Sequence, residues 1–237
     1  MFPIKGLRRP ALMAGVASLL TIAAVSLSPA AEQSVRLPAP ATDLPKASST
    51  RSVVLAGGCF WGLQGMYQHV KGVTRVVAGY SGGSASTAHY ETVGTGETGH
   101  AESVKIEYDP AQVSYGQLLQ LFFSTAHNPT ELNHQGPDDG TQYRSTIFVN
   151  DDSEKGVAQA YMAQLSASGA FSRPIATTLE PMRGFYPAEG YHQDYLIHHP
   201  DSMYIVMNDQ PKITALHNLY PDLYRASPVL TSPDSRS

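Results

Sequence analysis

The chain has 237 residues, of which 16 are basic and 20 are acidic, and its formal net charge at pH 7 is −4. This acidic balance disfavours a nucleic-acid-binding role, because such proteins carry clustered positive charge. The presence of only 1 cysteine excludes an internal disulfide and a zinc site built from cysteines. The hydrophobic content of 42% suits one globular domain with an ordinary core.

Residues 1–30 have the pattern of a secretory signal peptide. Lys5 and two arginines precede an apolar stretch at 11–27, and residues 28–30 (Ser-Pro-Ala) resemble a cleavage site. An uncleaved membrane anchor is the alternative, and the paired arginines also allow a twin-arginine route. Because this segment holds three of the 16 basic residues and no acidic residue, its removal leaves a net charge of −7. We expect export to the periplasm or the cell exterior, with no stable membrane insertion after cleavage.

Two segments outside the predicted domain show no periodic pattern. Residues 31–50 are rich in Ala, Pro, Ser and Thr, and we interpret them as a flexible leader. Residues 226–237 have the same character and are interpreted as a flexible tail. The globular domain is therefore expected to span residues 51–225.

The first predicted strand leads directly to the only cysteine. Residues 53–57 are suited to a buried β-strand, a second glycine follows, and apolar residues then recur at helical spacing over 63–70. Cys59 is therefore expected at the first turn of a helix, where backbone N–H groups and the helix dipole favour a thiolate. Phe60 and Trp61 would line an apolar hollow beside the sulfur. The alternative interpretation of Cys59 is a small buried core residue.

Further strand and helix patterns follow the cysteine in alternation. We predict strands at 73–80 and 103–108, a helix with a capping box at Ser114 and Gln117, a polar loop at 128–142, a strand at 143–149, a helix at 153–166 and a last β-type run at 175–180. The order β-α-β-β-α-β is typical of a ferredoxin-like two-layer sandwich. We therefore predict an α+β fold of this kind, with long loops and a C-terminal extension.

Several short motifs resemble one enzyme family. They are Gly-Cys-Phe-Trp-Gly at 58–62, Gly-Tyr-Ser-Gly-Gly at 79–83, His-Tyr at 89–90, Thr-Gly-His-Ala-Glu at 98–102 and the eleven-residue stretch at 135–145. In this order they resemble the A-type peptide methionine sulfoxide reductases, in a form with a single cysteine. The resemblance extends from about residue 52 to about residue 225. It implies an enzyme that returns the S epimer of methionine sulfoxide, in proteins or as the free amino acid, to methionine.

The resemblance also implies a role for individual residues. Cys59 attacks the sulfoxide sulfur and is left as a sulfenic acid. Glu102 protonates the departing oxygen, which requires a raised pKa in an apolar environment. Tyr90 and Tyr143 match tyrosines that hydrogen-bond the oxygen, and Asp138 matches an acid that orients the substrate.

Substrate contacts are also expected from Phe60 and Trp61. Each of these residues also has an ordinary structural interpretation. Without the motif, Glu102 could be a surface acid and Asp138 could bond its own backbone in a loop.

The regeneration of Cys59 must differ from that of relatives with further cysteines near the C-terminus, because residues 190–237 contain none. An external thiol is therefore expected, supplied by a thioredoxin-like protein or by glutathione with a glutaredoxin. We expect no bound cofactor or metal, oxidised proteins and free methionine sulfoxide as substrates, and a monomeric enzyme.

Two other functions remain open from the residues alone. A cysteine hydrolase would pair Cys59 with a histidine base, but the sequence shows no oxyanion hole. A metal-binding module could use His192, His198 and His199, although their spacing matches no known site.

Overall fold

A computed structural model describes Met1 and residues 34–231, so the predicted signal peptide lies outside the described residues apart from Met1. In chain order the elements are β1 (Arg51–Ala56), α1 (Phe60–Gln68), β2 (Val73–Ser81), α2 (Tyr90–Val93), β3 (Ala101–Tyr108), α3 (Tyr115–Leu121), β4 (His134–Gln135), β5 (Asp138–Asp139), β6 (Thr146–Val149), α4 (Asp152–Ser168), β7 (Thr178–Pro181), β8 (Phe185–Pro187), α5 (Tyr195–His198) and α6 (Gln210–Leu219). Short 3-10 turns lie at Ala85–Thr87, Thr141–Tyr143 and Gly190–His192, and π-helical turns lie at Phe122–Ala126 and Ile205–Asp209. Within the described residues, no helix has the length and apolar character needed to cross a membrane.

A six-stranded sheet in the order β7-β6-β1-β3-β2-β8 forms the centre of the fold. β1 lies in the middle because its run of Val53, Val54 and Leu55 is buried on both faces. Strand β3 is antiparallel to both β1 and β2, and β6 is antiparallel to β1. Only the pairing of β6 with β7 is parallel among the described strands. The start of β3 therefore lies beside the end of β1, which leads to Cys59.

The two faces of the sheet are covered unequally. Val53 and Leu55 of β1 belong to the large core that includes residues of α1, α3, α4 and α6. Val54 and Ala56 point to the opposite face, as alternation along a strand requires. There only a small apolar cluster forms, against Met182 and the neighbouring segment. The helices thus form one layer over one face.

The α+β class predicted from the sequence is confirmed, and the sheet is larger than predicted. The predicted β-type run at 175–180 corresponds to β7 at one edge, and the additional strand β8 extends the other edge. The capping box is present, since the Ser114 hydroxyl accepts the Gln117 N–H at 3.1 Å and the Gln117 side chain accepts the Ser114 N–H at 2.9 Å. The predicted polar loop at 128–142 contains the β4–β5 hairpin. Its strands are two residues long, which is too short to produce a recognisable alternation in the sequence.

Part of the predicted leader packs on the domain. The side chain of Leu37 is 3% exposed and belongs to the main core. The Leu37 carbonyl accepts a hydrogen bond from Gln120 at 2.8 Å, and the Asp43 carboxylate accepts the backbone N–H of Gly116 at 2.9 Å. The expectation of a flexible leader is therefore corrected for this stretch. The helices leave an apolar gap that Leu37 fills, and α3 offers hydrogen bonds to a segment that has no secondary structure.

The C-terminal segment wraps around α1 through buried amide side chains. Gln64 donates to Gln193 at 2.9 Å and accepts the backbone N–H of Asp194 at 2.8 Å. Thr231 donates its hydroxyl to the carbonyl of Val76 at 2.7 Å, so the described part of the predicted tail is also bound to the domain. This correction covers residues 226–231, while residues 232–237 lie outside the described residues.

Candidate active site

Cys59 lies at the junction of β1 and α1. It occupies the position immediately before the first helical residue, Phe60, as the sequence predicted. Gly58 turns the chain with a φ of 90°, and a β-carbon there would lie 2.8 Å from the side chain of Gln135. The backbone N–H of Gly58 also donates to the carbonyl of Tyr143 at 3.1 Å. The turn therefore requires glycine, and it fixes the cysteine at the start of the helix.

Glu102 is the carboxyl group held beside this cysteine. It lies on β3, and the residue is 4% exposed. Its Oε2 accepts the backbone N–H of Phe60 at 3.0 Å, so the carboxyl group is bound to the first residue of α1. Burial raises the pKa of Glu102 to about 8, although the hydrogen bond from Phe60 opposes this effect. Glu102 therefore keeps its proton at neutral pH and can donate it.

The pKa of the Cys59 thiol is raised well above its ordinary value. Burial is the largest cause, and the charges of Glu102 and Asp209 act in the same direction. The backbone N–H of Trp61 favours the thiolate but is outweighed. The expectation of an easily formed thiolate is therefore wrong, because desolvation exceeds the effect of the helix N-terminus. The resting site holds a thiol beside a carboxylic acid.

The indole of Trp61 forms an aromatic wall with the C-terminal segment. It stacks on Tyr195 with ring centroids 3.8 Å apart, and it meets Tyr204 edge-on at 5.9 Å. Its Nε1–H donates to Nδ1 of His192 at 3.1 Å. Burial lowers the pKa of His192, so the ring is neutral and carries its proton on Nε2. This half-buried wall is suited to a small apolar group such as a methyl.

Phe60 lies on the core side of the same wall. The residue is 0% exposed, and its ring centroid lies 5.0 Å from that of His192 and 5.8 Å from that of Tyr80. Phe60 thus packs against His192 on the side of the ring that faces the core. Direct contact between Phe60 and a substrate stays a prediction.

Tyr90 begins α2 and Tyr143 ends a 3-10 turn, and both are half-buried. The ring centroid of Tyr90 lies 4.5 Å from that of His192. The pKa of each phenol is raised, first by burial and then by the charge of Glu102, with a further effect from Cys59. The charges of Glu102 and Cys59 therefore act on both phenols. They keep their hydrogens at neutral pH and can donate hydrogen bonds to an oxygen.

Asp138 lies on the β4–β5 hairpin, paired with Gln135. Its Oδ2 accepts the hydroxyl hydrogen of Tyr204. Burial raises the pKa of Asp138, whereas the bond from Tyr204 and the ammonium of Lys212 lower it. Together with Cys59, these four residues line a cavity of about 50 Å³. The hairpin and the C-terminal segment therefore meet over the cysteine.

Comparison with known proteins decides the family. A family model described as peptide methionine sulfoxide reductase matches residues 51–222. The peptide methionine sulfoxide reductase MsrA 2 of Mesorhizobium japonicum is 58% identical over 184 residues, which cover 78% of this chain and 94% of that protein. The chain belongs to the A-type peptide methionine sulfoxide reductase family.

Further relatives of the MsrA family agree. The MsrA 2 protein of Synechocystis is 48% identical over 194 residues, covering 80% of this chain and 91% of that protein. The reduced form of Mxr1 from Saccharomyces cerevisiae has a TM-score of 0.58 and 34% identity, covering 68% of this chain and 92% of that chain. Methionine sulfoxide reductase A of Corynebacterium diphtheriae has a TM-score of 0.55 and 29% identity, covering 71% and 89%. The activity of the chain is the reduction of peptide methionine sulfoxide.

The other two functions find no support in the structure of this MsrA-family member. His127 lies beneath Gly57, but it is bound to the carbonyl of Phe122 and the hydroxyl of Ser145, and burial lowers its pKa to about 3. It is therefore a poor base for a hydrolase. Among the described residues, no group of three or more His, Cys, Asp or Glu side chains is placed to hold a metal ion.

Sequence reasoning did not find several residues of the site. These are His192 as a partner of Trp61, together with Tyr195, Tyr204, Asp209 and Lys212. They come from the segment that wraps around α1, far along the chain from Cys59. The only available signal was the density of aromatic residues in this segment, which does not distinguish a wall from a core.

Proposed function

We propose that this reductase acts on the S epimer of methionine sulfoxide, in proteins and as the free amino acid. The observation that carries the proposal is the position of Cys59 beside a protonated Glu102 at the start of α1. A chiral sulfoxide presents a methyl group, an oxygen and a lone pair, which need different neighbours. The aromatic wall at Trp61 suits the methyl group, and the hydroxyl and carboxyl groups suit the oxygen.

The chemical step follows from the protonation states. The Cys59 sulfur attacks the sulfoxide sulfur while Glu102 gives its proton to the oxygen. Tyr90 and Tyr143 donate hydrogen bonds to that oxygen as its charge grows. The hydroxyl group then moves from the methionine sulfur to the Cys59 sulfur, the bond between the two sulfurs breaks, and methionine leaves. The thiol proton returns to Glu102. In sum, a thiol and a sulfoxide become a sulfenic acid and methionine.

Regeneration then requires two external thiols. The first attacks the Cys59 sulfenic acid and releases water, and the second reduces the mixed disulfide. A disulfide within this sequence cannot form, because it contains 1 cysteine. We propose a thioredoxin-like protein, or glutathione with a glutaredoxin, as the source of these thiols.

A single-turnover experiment with resolved epimers tests the proposal. The protein is mixed with S or R methionine sulfoxide without reductant, and both methionine and protein mass are measured. The S epimer should yield one methionine per chain and a gain of one oxygen atom, ~16 Da, trappable by dimedone. The R epimer and the Cys59→Ser variant should yield none. Equal rates on both epimers would refute the stereochemical proposal.

The location and the biological role are proposals supported by residues 1–30. We propose that this segment directs export and that the enzyme repairs oxidised exported proteins. Mass analysis of the N-terminus of the protein recovered from the producing cell tests this. An N-terminus near residue 31 is expected, and a chain that retains its first residues inside the cell would contradict it.

For the fold, we propose that β1, α1, β2, β3, α3 and β6 form a ferredoxin-like unit. The middle strand order β6-β1-β3-β2, with every neighbour antiparallel, supports this assignment. A strand-by-strand superposition on ferredoxin-like sheets tests it, and a different handedness of the β1-α1-β2 crossover would refute it.

A further inference from the structure

Lys212 is a buried cation in the cavity that contains Cys59. The residue is 6% exposed, and it lines the cavity of about 50 Å³ together with Cys59, Asp138 and Tyr204. It is the one cation among the described residues that line this cavity. A lysine is rarely buried unless its charge is paired, because removal of an ammonium from water is costly. The burial of Lys212 therefore requires a partner of opposite charge.

Asp209 holds the ammonium over the first turn of α1. The Lys212 Nζ lies 3.4 Å from Oδ1 of Asp209, which is 0% exposed. A β-carbon on Gly62 would lie 2.0 Å from that oxygen and 3.0 Å from the Lys212 Nζ. Cys59 is the residue before α1, three positions ahead of Gly62. The ion pair therefore packs on the first turn of the helix that follows the cysteine, and Lys212 lines the same cavity as Cys59.

The other charges near the cysteine are negative. Glu102 is protonated at neutral pH, but the carboxyl groups of Asp209 and Asp138 act on Cys59 and oppose a negative charge on it. Oxidised Cys59 must nevertheless be attacked by a thiolate, which is an anion. Without a compensating cation, these carboxyl groups would repel the incoming thiolate and any carboxylate it carries. Lys212 is placed to compensate.

We propose that Lys212 is a binding residue for an anionic thiol that regenerates oxidised Cys59. The thiolate sulfur bonds to the Cys59 sulfur, the S–O bond breaks, and the hydroxide takes a proton to leave as water. The Cys59 sulfur becomes half of a mixed disulfide, and the incoming thiol is oxidised to the same level. The ligand class is a small thiol with a carboxylate, whose negative charge the ammonium attracts. This inference rests on the sulfenic acid of the proposed function.

A series of thiols that differ in charge tests the inference. Oxidised Cys59 is mixed with 3-mercaptopropionate (anionic), 2-mercaptoethanol (neutral) and cysteamine (cationic), and adduct formation is followed by mass. Lys212→Met should lower the rate ratio of anionic to neutral thiol by about tenfold relative to the wild type. Lys212→Arg should retain most of it. Because ratios are compared between variants, the intrinsic reactivity of each thiol cancels.

The matched control is Lys105→Met, which removes a half-exposed lysine from β3 on the far side of the sheet from the helices. It should leave every ratio unchanged. If Lys212→Met is unstable, Lys212→Gln removes the charge with a polar side chain, and the same loss of anion preference is expected. Unchanged ratios in Lys212→Met or in Lys212→Gln would overturn the inference and leave the ion pair with Asp209 a structural contact.

The two proposals can fail separately. If the wild type forms no sulfenic acid from methionine sulfoxide, the proposed chemical step is wrong. Cys59 is then oxidised directly with one equivalent of hydrogen peroxide, and the thiol series is run on that form. A charge preference that depends on Lys212 would support the binding role even in that case, and its absence would refute it.

Discussion

Replacement of Glu102 by glutamine should have opposite effects on activity and on stability at high pH. The variant keeps the shape of the side chain and an oxygen that can accept the Phe60 N–H. It removes the proton donor, so methionine release in a single turnover should slow by roughly 10²- to 10⁴-fold. In the wild type the same step should weaken as pH rises above about 8, where Glu102 loses its proton.

The stability effect follows from the raised pKa. The ordinary pKa of the carboxyl group is 4.5 and that of Glu102 in the folded protein is about 8, so the folded state binds more protons between these values. The contribution of Glu102 to stability is therefore fully present below pH 4.5 and is lost as pH rises through about 8. At ~1.4 kcal/mol per pH unit, the loss amounts to roughly 5 kcal/mol as an upper bound. Glu102→Gln does not show this loss, because its side chain does not titrate.

Urea unfolding at several pH values measures this difference, with Trp61 as the reporter because the chain has 1 tryptophan. The free energy of unfolding of Glu102→Gln minus that of the wild type should increase as pH rises from 4.5 to about 8 and then level off. Glu97→Gln, which removes an exposed carboxyl group, is the matched control. A difference for Glu102→Gln that does not change with pH would refute the reasoning, because the native carboxyl group would then titrate as it does in the unfolded chain.

Two further predictions concern packing, and urea unfolding tests both. Gly62→Ala should cost ~1–3 kcal/mol, because its β-carbon would lie 2.0 Å from Asp209, whereas Gly156→Ala in α4 meets nothing within 4 Å and should add ~0.5–1 kcal/mol. Equal effects at the two glycines would contradict the close approach at Gly62. Leu37→Ala should cost ~2–4 kcal/mol, since the side chain is 3% exposed. A loss below ~0.5 kcal/mol would show that this stretch of the predicted leader does not contribute to the core.

Local sequence patterns were sufficient to predict where the part of the site around Cys59 lies. The run of β-formers before Gly58 and the helical spacing after it predicted where Cys59 lies, because both signals act over a few residues. The capping box at Ser114 is another local signal that the structure confirms. The motifs at 58–62 and 98–102 predicted the family. The residues of a family motif keep their order in the chain, so the motif can be recognised even though the contacts of these residues are not visible in the sequence.

Only the tertiary structure decided the electrostatics of the site and its outer wall. The helix N-terminus at Cys59 predicts a lowered pKa, yet burial beside Glu102 and Asp209 raises it, and burial is a property of the whole fold. The placement of Tyr195 and Lys212 over α1 depends on contacts between residues more than a hundred positions apart. No periodicity encodes such contacts. The sequence by itself therefore determined the nucleophile, its local backbone and the family, and the packed chain determined the protonation states and the residues that surround the sulfur.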